Sequence, residues 1–193
     1  MAIIVQLQLQ IQRGESGHWN SSFPLPLDEL KGLSAAQLEA PQAEVRFELL
    51  RDAGTLAFEG RFQQGDGAGH FRFAPSAEYV ESMRRMGYQG LDEEKVFSLA
   101  VHDVSRTLIH ELAGLGYERV ALDDLIKMRI HGASPELIRE LKTLGYEKLA
   151  VDDLVKMRIH GVTADFIRGI QQKSGRAVSA DRLVEMRIHG REP

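Results

Sequence analysis

The stretch Leu125-Ile126-Lys127-Met128-Arg129-Ile130-His131-Gly132 runs on as Ala133-Ser134-Pro135-Glu136-Leu137-Ile138-Arg139-Glu140-Leu141-Lys142-Thr143-Leu144-Gly145-Tyr146-Glu147. The phrase begins again at Leu154 and at Leu183, and a fainter copy begins at Val96. These starts are 29 residues apart, and His102, His131, His160 and His189 keep the same step. A fixed period of roughly 20–50 residues is the signature of a stacked repeat array.

The local chemistry of one unit reads as helix, corner, helix. Asp123 and Asp124 put negative charge where a helix start exposes its N–H groups. Gly132 supplies the left-handed stop. Ser134 then caps a second helix, with Pro135 in its first turn and Glu136 just after. Leu137, Ile138, Leu141 and Leu144 line one face of it, Gly145 ends it, and Tyr146 folds back as an apolar latch. Helices of about ten residues do not persist alone in water, so the units have to stack.

At ~100° per residue, Leu122, Leu125, Ile126, Met128 and Ile130 fall on one broad arc with Arg129 near its middle and His131 opposite. Arg158 and Arg187 repeat the arrangement, and the Val96 copy has Ala100 there. A guanidinium buried in such an arc needs carboxylates or carbonyls around it. The expected suppliers are Asp123, Asp152, Asp153 or helix-end carbonyls of a neighbouring unit. Arg129, Arg158 and Arg187 are therefore expected to be buried structural charges, and His131 and His160 surface positions able to touch a ligand.

With 193 residues the chain can bury a sizeable core in one or two domains. It holds no apolar run near the ~18 residues a membrane span needs, so no membrane insertion of this chain is expected. The opening Met-Ala-Ile-Ile-Val leads directly into strand-like alternation, with no signal peptide visible. No cysteine is present, which excludes disulfides, thiolate metal sites and a cysteine nucleophile. Residues 125–193 have a net charge of +4 and residues 1–124 a net of −8, within an overall −4. That imbalance is too mild for a nucleic-acid footprint.

Val5, Leu7, Leu9 and Ile11 alternate with glutamines, which predicts a half-buried strand. Gly14–Pro26 reads as a loop. Leu27–Glu39 reads as one or two helical turns, interrupted at Gly32. Three more strands follow, with inward residues Val45, Phe47 and Leu49, then Leu56, Phe58 and Phe62, then Phe71 and Phe73. Asp52-Ala53-Gly54 and Gly65-Asp66-Gly67-Ala68-Gly69 are the turns between them. Near Ala74-Pro75 the period changes from 2 to 3.6, and Tyr79–Tyr88 matches the second half of a repeat. Asp103 stands where later units have the stop glycine, which leaves open one long or kinked helix over Asp92–Leu115. Ser174-Gly175 replaces the Gly-Tyr latch, and Ser179 caps the helix that holds Leu183.

No catalytic constellation stands out. His110-Glu111 begins like a zinc-peptidase helix, but Gly114 occupies the position of the second ligand. Stacked helices lie about 8–10 Å apart, too far for successive histidines to share a zinc ion with bonds of about 2 Å. The Gly65–Gly69 loop precedes a strand, so no helix N-terminus is available to hold phosphate. The expectation is a protein without metal or cofactor and without catalysis. The corners Ile130–Ser134 and Ile159–Thr163 resemble the glycine turns of DNA-gripping helical hairpins. However, Glu136 and Asp165 sit in the first turn, which repels phosphate.

The segments Phe97–Val104, Leu125–Gly132 and Leu154–Gly161, with Leu-Gly-Tyr between them, together with Val45–Phe73, resemble a bacterial module. It lies C-terminal to BlaR1-type antirepressor peptidases and occurs in stand-alone envelope or secreted proteins. The resemblance covers roughly residues 1–190 and implies an extracytoplasmic sensing or interaction role. It implies no proteolysis, because the peptidase part has no counterpart here. Periodicity and resemblance together predict an α+β chain: a small four-stranded antiparallel sheet capping a short right-handed α-solenoid of 29-residue helix-turn-helix repeats. Residues 1–75 form the β domain with its helical insert, and residues 76–193 the array. The expected function is non-catalytic binding of a protein or peptide along the repeats. The alternatives are a nucleic-acid-binding hairpin module and a regulatory domain detached from a membrane peptidase.

Overall fold

The computed structural model describes residues 2–13, 17–175 and 178–190. The chain is α+β and divides into two compact units, Met1–Ser76 and Ala77–Pro193.

In the first unit, strands β1 (Ile4–Arg13) and β2 (Gly17–Pro26) form a two-stranded antiparallel sheet. A 3-10 turn (Leu27–Glu29) leads into the two-residue strand β3 (Leu30–Lys31) and helix α1 (Ala35–Glu39). Strands β4 (Ala43–Arg51), β5 (Gly54–Gln63) and β6 (Asp66–Pro75) follow, and the four-stranded antiparallel sheet has the order β3-β4-β5-β6. Alternation decides which face of each strand is buried. Val45, Phe47, Leu49, Leu56, Phe58 and Phe62 are buried, while Arg46, Glu48 and Glu59 are exposed. Phe47 stacks on Phe58 with ring centres 4.7 Å apart, and Phe58 meets Phe71 at 5.9 Å.

Three expectations change here. The stretch Leu27–Glu39, read as helical turns, contains the strand Leu30–Lys31, which pairs with β4 and is the fourth strand of the larger sheet. The strand built on Val5–Ile11 is not one of the four in the larger sheet; it pairs with the segment read as a loop. Residues 14–16 of that segment lie outside the described residues, but Gly17–Pro26 is a full strand in register from Arg13↔Gly17 to Ile4↔Pro26. Small and polar residues at Asn20-Ser21-Ser22 and two prolines hide its alternation, although Trp19, Phe23 and Leu25 turn the same way as their β1 partners. The Gly65–Gly69 turn is also shorter than expected. Gln64 (φ 53°) and Gly65 (φ 92°) alone turn the chain, the two-residue left-handed pattern that matches strand twist. Asp66–Gly69 already belong to β6.

The second unit holds α2 (Ala77–Arg85), α3 (Glu93–Val101), α4 (Arg106–Gly114), α5 (Leu122–His131), α6 (Pro135–Thr143), α7 (Val151–Ile159), α8 (Ala164–Ser174) and α9 (Ala180–His189). Ser105, Ser134, Thr163 and Ser179 each accept a backbone N–H three residues on, which fixes where α4, α6, α8 and α9 begin. Gly132, Gly175 and Gly190 end α5, α8 and α9 in the left-handed conformation. The segment Asp92–Leu115 is two helices, not one. Asp103 itself turns left-handed (φ 52°), a conformation a short polar side chain tolerates. Helices α3, α5, α7 and α9 contact one another in sequence, and α4 contacts α6. Leu125, Leu154 and Leu183, at one position of the 29-residue period, are all essentially inaccessible.

Candidate interaction surface

The exposed side of α5, α7 and α9 has one unusual feature. Ile130, Ile159 and Ile188 are 55%, 56% and 53% exposed, at the same position of three successive copies of the phrase. The equivalent side chain of α3, Val101, is buried. Single exposed apolar residues are ordinary on any surface; three at a fixed period on helices that contact in sequence form a row.

The expected arc placed Ile130 inside and Arg129 at its centre, and both placements are corrected. On α5, Leu125 and Met128 are buried, whereas Arg129, Ile130 and His131 are exposed. The core is centred on the Leu125–Met128 edge, so the helix is rotated and Ile130 falls outside. Leu154 with Met157, and Leu183 with Met186, repeat this. Arg158 and Arg187 are likewise exposed. Among the described residues no charged side chain belongs to the buried core.

The arginines nevertheless lie on the preceding first helix of the series. The Arg129 guanidinium donates from Nε to the His102 carbonyl at 2.9 Å and from Nη2 to Asp103 Oδ2 at 2.8 Å. It thereby satisfies a helix-end carbonyl and the aspartate that replaces the stop glycine. Arg158 lies over Gly132, where an added Cβ would come within 3.3 Å of Nη2, and Arg187 lies over Gly161. Arg187 also sits 5.3 Å from the centre of the Phe166 ring. For Arg129 a helix-end carbonyl of the kind foreseen does serve, but at the surface.

The aspartates are exposed or half-buried and pair with lysines instead. Asp123 takes Lys95, and Asp152 takes Lys127 at 2.6 Å. Asp181 takes Lys156 at 3.0 Å, with Asp153 3.8 Å from the same lysine. The Asp152 carboxylate keeps the Lys127 ammonium above the usual lysine range and is itself held below the usual carboxylate range.

A parallel set joins the second helices. Arg139 reaches Glu111 at 2.5 Å and Arg168 reaches Glu140 at 3.3 Å. Lys142 donates to the Leu115 carbonyl and Gln171 to that of Leu144, both at 2.9 Å. Tyr117 donates to the Leu149 carbonyl at 2.8 Å, and Tyr146 to that of Val178 at 2.5 Å. Each member of these last two pairs of bonds lies 29 residues from its counterpart.

His131 is exposed and His160 half-buried, both beside the isoleucine row in sequence. His102 is half-buried; burial and, second, the nearby Arg129 charge hold its pKa below the ordinary value. Among the described residues no three His, Asp or Glu side chains converge, and no helix is long and apolar enough to cross a membrane. The sequence period could have located the isoleucine row, but only with the helix rotation known. Family models, curated proteins and solved structures offer no match to this chain.

Proposed function

We propose that this chain is a non-catalytic interaction or sensing module. In this reading Ala77–Pro193 is a short solenoid of 29-residue helix-turn-helix repeats, and a protein or peptide docks along the row Ile130, Ile159 and Ile188. The observation that carries the reading is the matched exposure of these three side chains. The charged residues around them are engaged in joining one helix to the next, so selection for stacking accounts for the arginines and lysines but not for the isoleucines. A row of apolar side chains about 8–10 Å apart suits an elongated partner, as the extended faces of solenoids do. The resemblance to modules beside BlaR1-type peptidases points the same way. Nucleic acid is the weaker reading. Glu136, at the start of α6, is held below the usual carboxylate range, first by a hydrogen bond with the Ser134 side chain, so its negative charge persists where a phosphate would bind.

The test is a linear peptide library selected on the full chain. Enriched peptides are titrated into the wild type and into an Ile130→Ser, Ile159→Ser, Ile188→Ser variant. Each isoleucine that becomes buried contributes about 1 kcal/mol or more, so binding should weaken by at least about ten-fold with the melting curve unchanged. Equal affinity for the two proteins would refute the row as the contact surface.

A further inference from the structure

Asp103, Gly132 and Gly161 occupy one position of the 29-residue period, at the ends of α3, α5 and α7. All three have left-handed backbone, with φ of 52°, 69° and 66°. The arginine of the next copy meets each of them. Arg129 has the Asp103 carboxylate at 2.8 Å. Arg158 lies against Gly132, its Nη2 3.3 Å from the point where a Cβ would stand, and Arg187 lies against Gly161, its Nε 3.7 Å from the corresponding point. Backbone and guanidinium are thus arranged alike three times, but of these three positions only Asp103 carries a side chain that can answer the charge.

Among the described residues no carboxylate pairs with Arg158 or Arg187. The acids that begin α6 and α8, Glu136 and Asp165, are taken by Arg139 and Arg168 of their own helices. Asp152 and Asp181 are taken by Lys127 and Lys156. Each guanidinium is held at the C-terminal end of the preceding first helix, whose partial negative charge favours a cation, and Arg187 also packs on the Phe166 ring. These contacts fix the position of the charge without neutralising it. A single exposed arginine needs no partner. Arg158 and Arg187, however, precede Ile159 and Ile188, and all four side chains are exposed, so charge and apolar surface repeat together from α7 to α9.

We propose that the partner docking along the isoleucine row is an acidic, extended peptide segment. Its apolar side chains cover Ile130, Ile159 and Ile188, and its carboxylates do at Arg158 and Arg187 what Asp103 does at Arg129. This rests on the row being the docking surface and adds the charge and spacing of the partner. A carboxylate matches the guanidinium fork with two parallel N–H···O bonds. Packed helices lie about 8–10 Å apart, and a polyproline-type peptide advances about 9 Å in three residues and returns to the same face. Apolar side chains at every third position, with an acid between them, fit that interval.

The probes are capped peptides of three Leu-Pro-Glu repeats, with twins in which Gln or Lys replaces Glu, titrated into the full chain at low salt. The wild type should bind the Glu peptide at least about five-fold more tightly than the Gln twin, through two exposed charge pairs, and the Lys twin more weakly still. In about 1 M salt the Glu and Gln peptides should bind alike. An Arg158→Gln, Arg187→Gln variant should lose the preference for Glu. Equal binding of the Glu and Gln peptides by the wild type at low salt, or a preference kept by the double variant, overturns the proposal. So does absence of binding by the Glu peptide at millimolar concentration. The wild-type arms decide the matter even if the variant fails to fold. The Ile130→Ser, Ile159→Ser, Ile188→Ser variant separates this inference from the reading beneath it. If that variant weakens the Gln twin while the wild type shows no preference for Glu, the row stands and the acidic partner is wrong. If it binds the Glu peptide as tightly as the wild type does, the row is wrong and the inference falls with it. Displacement of the Glu peptide by an equal concentration of a DNA oligonucleotide would assign the two arginines to phosphate and overturn the acidic peptide.

Discussion

Tyr88, Tyr117 and Tyr146 occupy one position of the sequence period but differ in what their hydroxyls meet. The Tyr117 hydroxyl donates to the Leu149 carbonyl at 2.8 Å and accepts from the Leu149 N–H at 3.1 Å. The Tyr88 hydroxyl is buried and has no hydrogen-bond partner among the described residues, and burial raises its pKa. Removing a hydroxyl that satisfies two backbone groups leaves both stranded, whereas removing one without a partner relieves a desolvation penalty. Tyr117→Phe should therefore lower stability by about 1–2 kcal/mol, and Tyr88→Phe should raise it by about 1 kcal/mol. Denaturant midpoints at unchanged m-value read both; equal losses at the two sites would contradict the argument. Arg129 calls for a smaller expectation than its sequence context suggested. Its guanidinium is 38% exposed, as is about as much of Asp103, so the pair is worth about 0.2–1 kcal/mol and is screened by salt. Asp103→Asn keeps a side chain that tolerates the left-handed turn and removes only the charge. Its cost should stay within that range at low salt and vanish in about 1 M salt.

At the scale of elements, α5 depends on its ending. Gly132 has φ 69°, and a Cβ there would also crowd Arg158. Gly132→Ala should cost about 1–2 kcal/mol from the left-handed backbone alone, and Gly132→Asn clearly less, as measured by thermal unfolding. This ending was legible in the sequence because capping is local: Ser134-Pro135-Glu136 and Gly132 act on neighbours within a turn. The strands β4 and β5 were legible because one face is buried and the other wet. The β2 strand was not, since its pairing with β1 is decided by a partner strand and its own pattern is interrupted by prolines. Helix rotation was hidden for a related reason. Leu122, Ile126 and Ile130 look equally apolar in α5, and only packing against other helices selects Leu125 and Met128 for the core. Arg129 meets a helix-end carbonyl of a neighbouring helix, that of His102, but the exposure of all three arginines is set by that same rotation.

For the molecule as a whole, pH dependence follows from the same contacts. Glu59 is held below the usual range chiefly by the Arg46 hydrogen bond, Glu136 by that with Ser134, and Asp152 by that with Lys127. For each the unfolded chain binds protons first as pH falls, so the stability they contribute is present above about pH 4 and lost below it. His102, also depressed, begins its loss earlier, as pH falls through about 6.5. His102→Gln should flatten the limb just below pH 6.5 in a stability profile and leave the carboxylate limb in place. The array reading makes a separate demand. In a stack with nearest-neighbour contacts only, a defect is felt locally and the ends loosen first. Leu125, Leu154 and Leu183 provide a matched series, at 0%, 1% and 0% exposure in α5, α7 and α9. Each change to Ala removes the same atoms and should cost about 2–5 kcal/mol locally. The consequences should differ with position. Leu183→Ala should speed amide exchange in α9 and little elsewhere, because α7 is the first helix of the series that α9 contacts. Leu154→Ala should speed exchange in α5, α7 and α9 together, since α7 contacts both. If all three variants accelerate exchange uniformly over Ala77–Pro193, the helices form one indivisible core and the solenoid reading fails.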